Sequence, residues 1–144
     1  MIYKATKEDA TRLAQMAILM WDENTVEGLA EEFEEILASD ESAIYIYMIE
    51  NQPIGFAQCQ LRHDYVEGTD SSPVGYLEGI FIRDGYRKQG YARELLARCE
   101  EWAKEMGCTE FASDCELTNT GSLAFHLNMG FEEANRIICF TKRL

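Results

Sequence analysis

Arg87, Lys88, Gln89, Gly90, Tyr91 and Ala92 form a short basic turn between an apolar run, Tyr76 to Ile82, and a run with helical spacing, Tyr91 to Met106. The first N–H groups of a helix have no intrahelical partners, and the aligned peptide dipoles favour negative charge there. Cationic side chains beside such a start, with a glycine that lets the backbone approach closely, make an anion site. The ligand implied is a diphosphate. Two carboxylates also stand out. Glu78 lies inside an apolar strand-like run, and Asp114 follows another, Cys108 to Ser113. A carboxylate so placed is costly without a partner, and either one suits binding an ammonium group or taking its proton through water. The sequence leaves those two roles open. His63 has no metal-ligand company, and no metal is expected.

The elements around these residues read as follows. Ile2 to Ala5 predicts a first strand. Thr6, with Asp9 three residues on, predicts the start of a helix reaching Trp21, and a second helix fits Val26 to Leu37. Ala43 to Ile49 and Ile54 to Arg62 predict a hairpin around Asn51-Gln52-Pro53, followed by a loop from His63 to Pro73 and a strand from Tyr76 to Ile82. Ala92, Leu95, Leu96, Cys99, Trp102, Ala103 and Met106 recur at three- and four-residue spacing, so the helix after the basic turn has one apolar face and stops at Gly107. Cys108 to Ser113 predicts the next strand, Thr120 to Met129 a helix ended by Gly130, and Glu133 to Thr141 a last strand. Strand, helix, strand over this distance is a right-handed βαβ unit, so its two strands should be parallel. The fold class is α/β (α+β): a mixed, mostly antiparallel sheet with a central parallel strand pair and helices on both faces.

Composition narrows the function. The chain has 144 residues, 47% of them apolar, and reads as one domain, 1–144. No apolar run approaches the roughly 20 residues that span a bilayer. Met1 to Ala5 leads directly into charged sequence with no signal-peptide core, so a cytoplasmic protein is expected. The five cysteines, Cys59, Cys99, Cys108, Cys115 and Cys139, are odd in number and form no C-x-x-C pair. They read as packing thiols of a reducing compartment. The net charge of −13 repels nucleic acids and anionic lipids and attracts a polycation.

The P-loop pattern and the G-x-G-x-x-G fingerprint are both absent, which counts against nucleoside triphosphates and dinucleotides. Arg87-x-x-Gly90-x-Ala92 instead resembles the [QR]-x-x-G-x-[GA] signature of the GNAT superfamily of acyl-CoA-dependent N-acyltransferases. Asn119-x-x-Ser122-x-x-x-His126-x-x-x-Gly130-Phe131 is similar to the family's downstream element. The stretches Leu61 to Val66, Asp70 to Val74, Leu77 to Phe81 and Ala112 to Asp114 resemble the aminoglycoside 6'-N-acetyltransferases, which implies acetyl transfer from acetyl-CoA to the 6'-amine of an aminoglycoside and hence antibiotic resistance.

The resemblance also implies residue roles. It assigns Ile80, Phe81 and Ile82 to the pantetheine arm of the co-substrate and Arg87, Lys88, Gln89, Gly90, Tyr91 and Ala92 to its diphosphate. Asn119 matches the family's cofactor-binding Asn, and an Asn before a helix also serves as a cap. His126 stands where many members carry a Tyr as proton donor to the thiolate, a role an imidazole also suits. Glu78 and Asp114 become acceptor-site residues, with Trp21, Tyr65 and Asp70 as further acceptor contacts. The family implies a homodimer. Two other readings stay open: an acetyltransferase for another cationic amine, such as a polyamine or a peptide N-terminus, and a non-catalytic CoA-binding regulatory module. Glu78 and Asp114 argue against the module.

Overall fold

Apolar strand runs build a five-stranded sheet of order β1-β2-β3-β4-β5 in the computed structural model, which describes residues Met1–Leu144. The strands are β1 (Ile2–Lys4), β2 (Ser42–Ile49), β3 (Gln52–Arg62), β4 (Val74–Ile82) and β5 (Phe111–Ala112). The first four pair antiparallel, and β4 pairs with β5 in parallel. The helices are α1 (Ala10–Ala17), α2 (Val26–Leu37), α3 (Tyr91–Glu105) and α4 (Thr120–Asn128), with a 3-10 turn at Lys7–Asp9 before α1.

Side chains alternate across each strand, so the sheet feeds two cores. On one face α1 and α2 bury Leu13, Met16, Leu29 and Phe33 against Ile44, Ile46, Phe56 and Phe81. Phe33 and Phe56 meet edge to face, with centroids 5.9 Å apart. Truncating either to Ala should cost about 3–5 kcal/mol. On the other face α3 buries Leu95, Leu96, Cys99 and Trp102 against Ala43, Tyr45, Ala57, Cys59 and Leu77. The Tyr47 hydroxyl donates to Glu94 at 2.7 Å, and its ring lies 4.8 Å from that of Tyr91. These contacts fix the start of α3 on the sheet.

The mixed sheet with helices on both faces is the architecture the sequence predicts, and it differs from that reading at several points. The first helix ends at Ala17, four residues short of Trp21. The strand expected over Cys108 to Ser113 shrinks to Phe111–Ala112, because β4 begins only at Val74 and leaves β5 after Tyr76. The strand expected over Glu133 to Thr141 does not form. This segment pairs with neither edge strand of the sheet, β1 or β5, and Ile137, Ile138 and Phe140 stand exposed. The parallel pair consequently lies at one edge of the sheet rather than at its centre. Among the cysteines, Cys59, Cys99 and Cys108 are buried packing thiols, whereas Cys115 and Cys139 are exposed.

Candidate active site

The site is built on a break between two strands. Only Gly75 and Tyr76 of β4 pair with β5, opposite Phe111 and Ala112. From Leu77 onward that edge of β4 is open. On its other edge, Gln58 of β3 pairs with Gly79 and Cys59 with Leu77, so Glu78 has no partner residue. This is a β-bulge, which reverses the in-and-out phase of the strand. Leu77 packs on the α3 side, and so do Ile80 and Ile82. A regular strand would have turned those two away.

Glu78 is mostly buried and is gripped by Arg62, the last residue of β3. Arg62 Nε lies 3.1 Å from Oε2 and Nη2 lies 2.9 Å from Oε1. The guanidinium carbon also sits 3.5 Å above the centroid of the Tyr76 ring. The Tyr76 hydroxyl donates to Asp114 Oδ2. Burial first, then the Asp114 carboxylate, pushes the Tyr76 phenol well above its ordinary range and keeps it a donor. The two carboxylates singled out by sequence are therefore joined through Arg62 and Tyr76, neither of which the sequence marked as a site residue. Tyr76 and Glu78 are two apart on one strand and Arg62 ends the facing strand, which was the available signal. The bulge between them hid the register.

Trp21 reaches the same strand. A Cβ placed on Gly79 would touch the Trp21 indole at 3.6 Å, so the ring lies over the backbone beside Glu78. Tyr65 is exposed and lines, with Arg62, a cavity of about 410 Å³ bounded by Gln60 to Tyr65. Asp70 is not drawn into this group. Its N–H donates to Glu110 at 2.9 Å, and Ser71 donates to the same carboxylate.

His126 on α4 points at the end of β5. Nδ1 lies 2.7 Å from the Ser122 carbonyl, which only accepts, so the neutral ring carries its proton there. Nε2 lies 2.8 Å from the Ser113 hydroxyl, which in turn is 3.3 Å from the Leu77 carbonyl on β4. Ser113, also missed by the sequence reading, stands between the imidazole and the open edge. Asn119 caps α4, its Oδ1 accepting from Ser122 N–H at 3.1 Å. Its Nδ2 group remains the donor available to a ligand.

The turn after β4 suits a diphosphate. Gly85, Lys88 and Gly90 all have left-handed backbone conformations, with φ of 91°, 62° and 88°. A Cβ at Gly90 would meet nothing in the protein within 4 Å, so the space before the α3 N-terminus is open. Arg87 braces this loop: Nε donates to the Ile82 carbonyl at 2.9 Å, and Nη1 lies 3.1 Å from Asp84. Gln89 donates to the Gly85 carbonyl at 3.3 Å. Lys88 is exposed beside the helix start. Phe81 and Ile82 are buried and Ile80 packs on the α3-side core, so these three offer a ligand their main chain rather than their side chains. No three His, Cys, Asp or Glu side chains gather as a metal site.

The model of the acetyltransferase (GNAT) family matches residues 13–131. This chain belongs to that family. Such an acetyltransferase has close relatives in sequence. A Salmonella typhimurium protein named aminoglycoside N(6')-acetyltransferase type 1 is 47% identical over 110 residues, 76% of each chain. A protein of the same name from Stenotrophomonas maltophilia is 38% identical over 140 residues, covering 96% of this chain and 90% of that one. The solved structure of AAC(6')-Iy in complex with the bisubstrate analogue CoA-S-monomethyl-acetylneamine is 38% identical, covers 100% of this chain and 98% of that one, and superposes with a TM-score of 0.95. The GNAT fold expected from the basic turn is thus the fold of the whole chain.

Proposed function

We propose that this GNAT acetyltransferase takes acetyl-CoA as co-substrate and acetylates the 6'-amine of an aminoglycoside by direct attack in a ternary complex, so conferring resistance. A single domain, 1–144, carries the reaction. The observation that carries the reading is the near full-length 38% identity to a relative of that name. The site geometry supports it, because two carboxylates for an ammonium lie beside the open edge of β4.

Bound acetyl-CoA supplies an activated thioester carbonyl. The residues of this chain bind, orient and move protons around it. Arg87 through Ala92 hold the diphosphate at the α3 N-terminus, with Arg87 shaping the loop, Lys88 adding charge and the first-turn N–H groups donating. The main chain of Ile80, Phe81 and Ile82 flanks the arm, and Asn119 Nδ2 donates to it. Glu78 and Asp114 hold the acceptor's ammonium group. One of them, or a water between them, takes its proton, since a protonated amine has no lone pair with which to attack. Trp21 and Tyr65 wall the acceptor, and Asp70 offers a further carboxylate to a large polycation. In its doubly protonated form His126 gives the Nε2 proton to the Ser113 oxygen as the serine hydroxyl proton passes to the departing sulfur, and Nδ1–H stays on the Ser122 carbonyl.

The net charge of −13 draws a polycation and opposes nucleic acid. It serves a polyamine equally well, so the acceptor is decided by assay. We place the enzyme in the cytoplasm, in keeping with five unpaired cysteines. No helix is long and apolar enough to cross a membrane. A homodimer is supported by the exposed Ile137, Ile138 and Phe140 of the C-terminal segment, which want a second surface.

The test is thiol release from acetyl-CoA with kanamycin, tobramycin, spermidine and a peptide, with the acetylated nitrogen located by NMR. Turnover with kanamycin giving the 6'-acetyl product is expected. Turnover with spermidine or peptide alone would move the enzyme to another amine, and CoA binding without any turnover would make it a regulatory module.

A further inference from the structure

A site read as binding a cation already holds one. Both carboxylate oxygens of Glu78 are engaged by Arg62, at 2.9 and 3.1 Å. The same guanidinium covers the face of Tyr76 at 3.5 Å, a second seat suited to a cation. Tyr76 in turn occupies one oxygen of Asp114. An incoming ammonium group therefore meets a carboxylate whose two oxygens each already accept from a guanidinium and whose charge is already paired. Bidentate, charge-assisted pairs of this kind are roughly twice as strong as neutral hydrogen bonds. A single ammonium is a point charge and cannot reproduce the planar fork.

The surroundings leave Arg62 somewhere to go. Its side chain is 38% exposed, against 18% for Glu78. It borders the cavity of about 410 Å³ that also exposes Asp64, two residues along. Asp64 makes no ion pair or side-chain hydrogen bond in the structure, so its carboxylate is available to a released guanidinium.

We propose that Arg62 is an internal competitor for the acceptor's ammonium group, a latch that must leave Glu78 before an amine is bound. The proposal rests on Glu78 being an acceptor carboxylate. Apparent affinity is reduced by the fraction of enzyme that is unlatched, and the reduction is the same factor for every amine. Monoamines then fall below useful affinity. An acceptor with several ammonium groups recovers the loss through its other contacts. Arg62 thus sets the threshold of charge that an acceptor must carry.

The test compares wild type, Arg62→Gln and Arg62→Lys with kanamycin and with methyl 6-amino-6-deoxyglucoside, a monoamine carrying the same aminomethyl group. KM for both amines should fall by a similar factor, about tenfold, in Arg62→Gln, and by less in Arg62→Lys, whose ammonium is a weaker latch. Calorimetric Kd for kanamycin should fall in parallel, and this measurement holds even if a variant turns over slowly. Unchanged or raised KM and Kd in both variants would make Arg62 a fixed brace and overturn the latch. Failure of the functional reading shows separately, in wild type, as no turnover of any amine, and that result would overturn both.

Discussion

His126 Nε2 lies 2.8 Å from the Ser113 hydroxyl, with the opposite ring nitrogen held on the Ser122 carbonyl at 2.7 Å. A proton leaving the imidazole toward the open edge of β4 must pass through the serine. His126→Phe and Ser113→Ala should each lower kcat by about 10²-fold while CoA affinity stays within a factor of two or so. Because the two act as one relay, the double variant should lose little more than either single one. Single-turnover kinetics and CoA titration check this; unchanged turnover in Ser113→Ala would remove the relay.

Glu78 and Asp114 are tied to Arg62 and Tyr76 rather than to the anion turn. Glu78→Ala with Asp114→Ala should keep CoA affinity and lose turnover by at least about 10²-fold. Calorimetry and thiol release on the same preparation separate the two effects. Turnover at wild-type rate would remove both carboxylates from the reaction.

Gly90 has φ of 88° and open space beyond its missing Cβ. Gly90→Ala should cost about 1–2 kcal/mol of stability, the penalty for a left-handed backbone in an L-residue. Loss of CoA affinity should exceed that figure, because the methyl group enters the space assigned to a phosphate. A melt and a CoA titration give the two numbers, and an affinity loss no larger than the stability loss would place the diphosphate elsewhere.

Several phenols are held back from ionising. Tyr45, mainly by burial, and Tyr47, mainly by its bond to Glu94, are pushed up to about 12 from an ordinary 10.0, and Tyr3 and Tyr76 are raised too. The folded state keeps protons that the unfolded chain would release. Their stabilisation is therefore fully present below pH 10 and is lost as pH rises through about 12. Phenolate absorbance should show part of the tyrosine content ionising only at the unfolding transition. Complete ionisation before unfolding would contradict it.

Much of this architecture was legible because its signals are local. The apolar face of α3, the basic turn before it and the cap at Asn119 are each written within a few residues. The boundaries that slipped depend on partners. β5 is short because of where β4 begins, and Glu133 to Thr141 carries a strand-like pattern that pairs with neither edge strand of the sheet. Glu78 and Asp114 were visible as charges in apolar company. Arg62, Tyr76 and Ser113 were not, since each acquires its meaning from a register that the bulge displaces.

That bulge splices two strands of opposite phase into one. Upstream of it Leu77 faces the α3 layer, and downstream Ile80 and Ile82 face the same layer, so of the two residues between Leu77 and Ile80 only Glu78 has a side chain, and that side chain belongs to neither core. Removing Glu78 would leave Leu77 opposite Cys59 and Gly79 opposite Gln58 in a regular ladder with both layers kept, and exchanging its side chain disturbs neither layer. The residue is thus surplus to the packing of the sheet, and the fold is permissive of a change in its identity. Within one scaffold, the group proposed to meet the acceptor is free to vary while the layers that hold the sheet together are not.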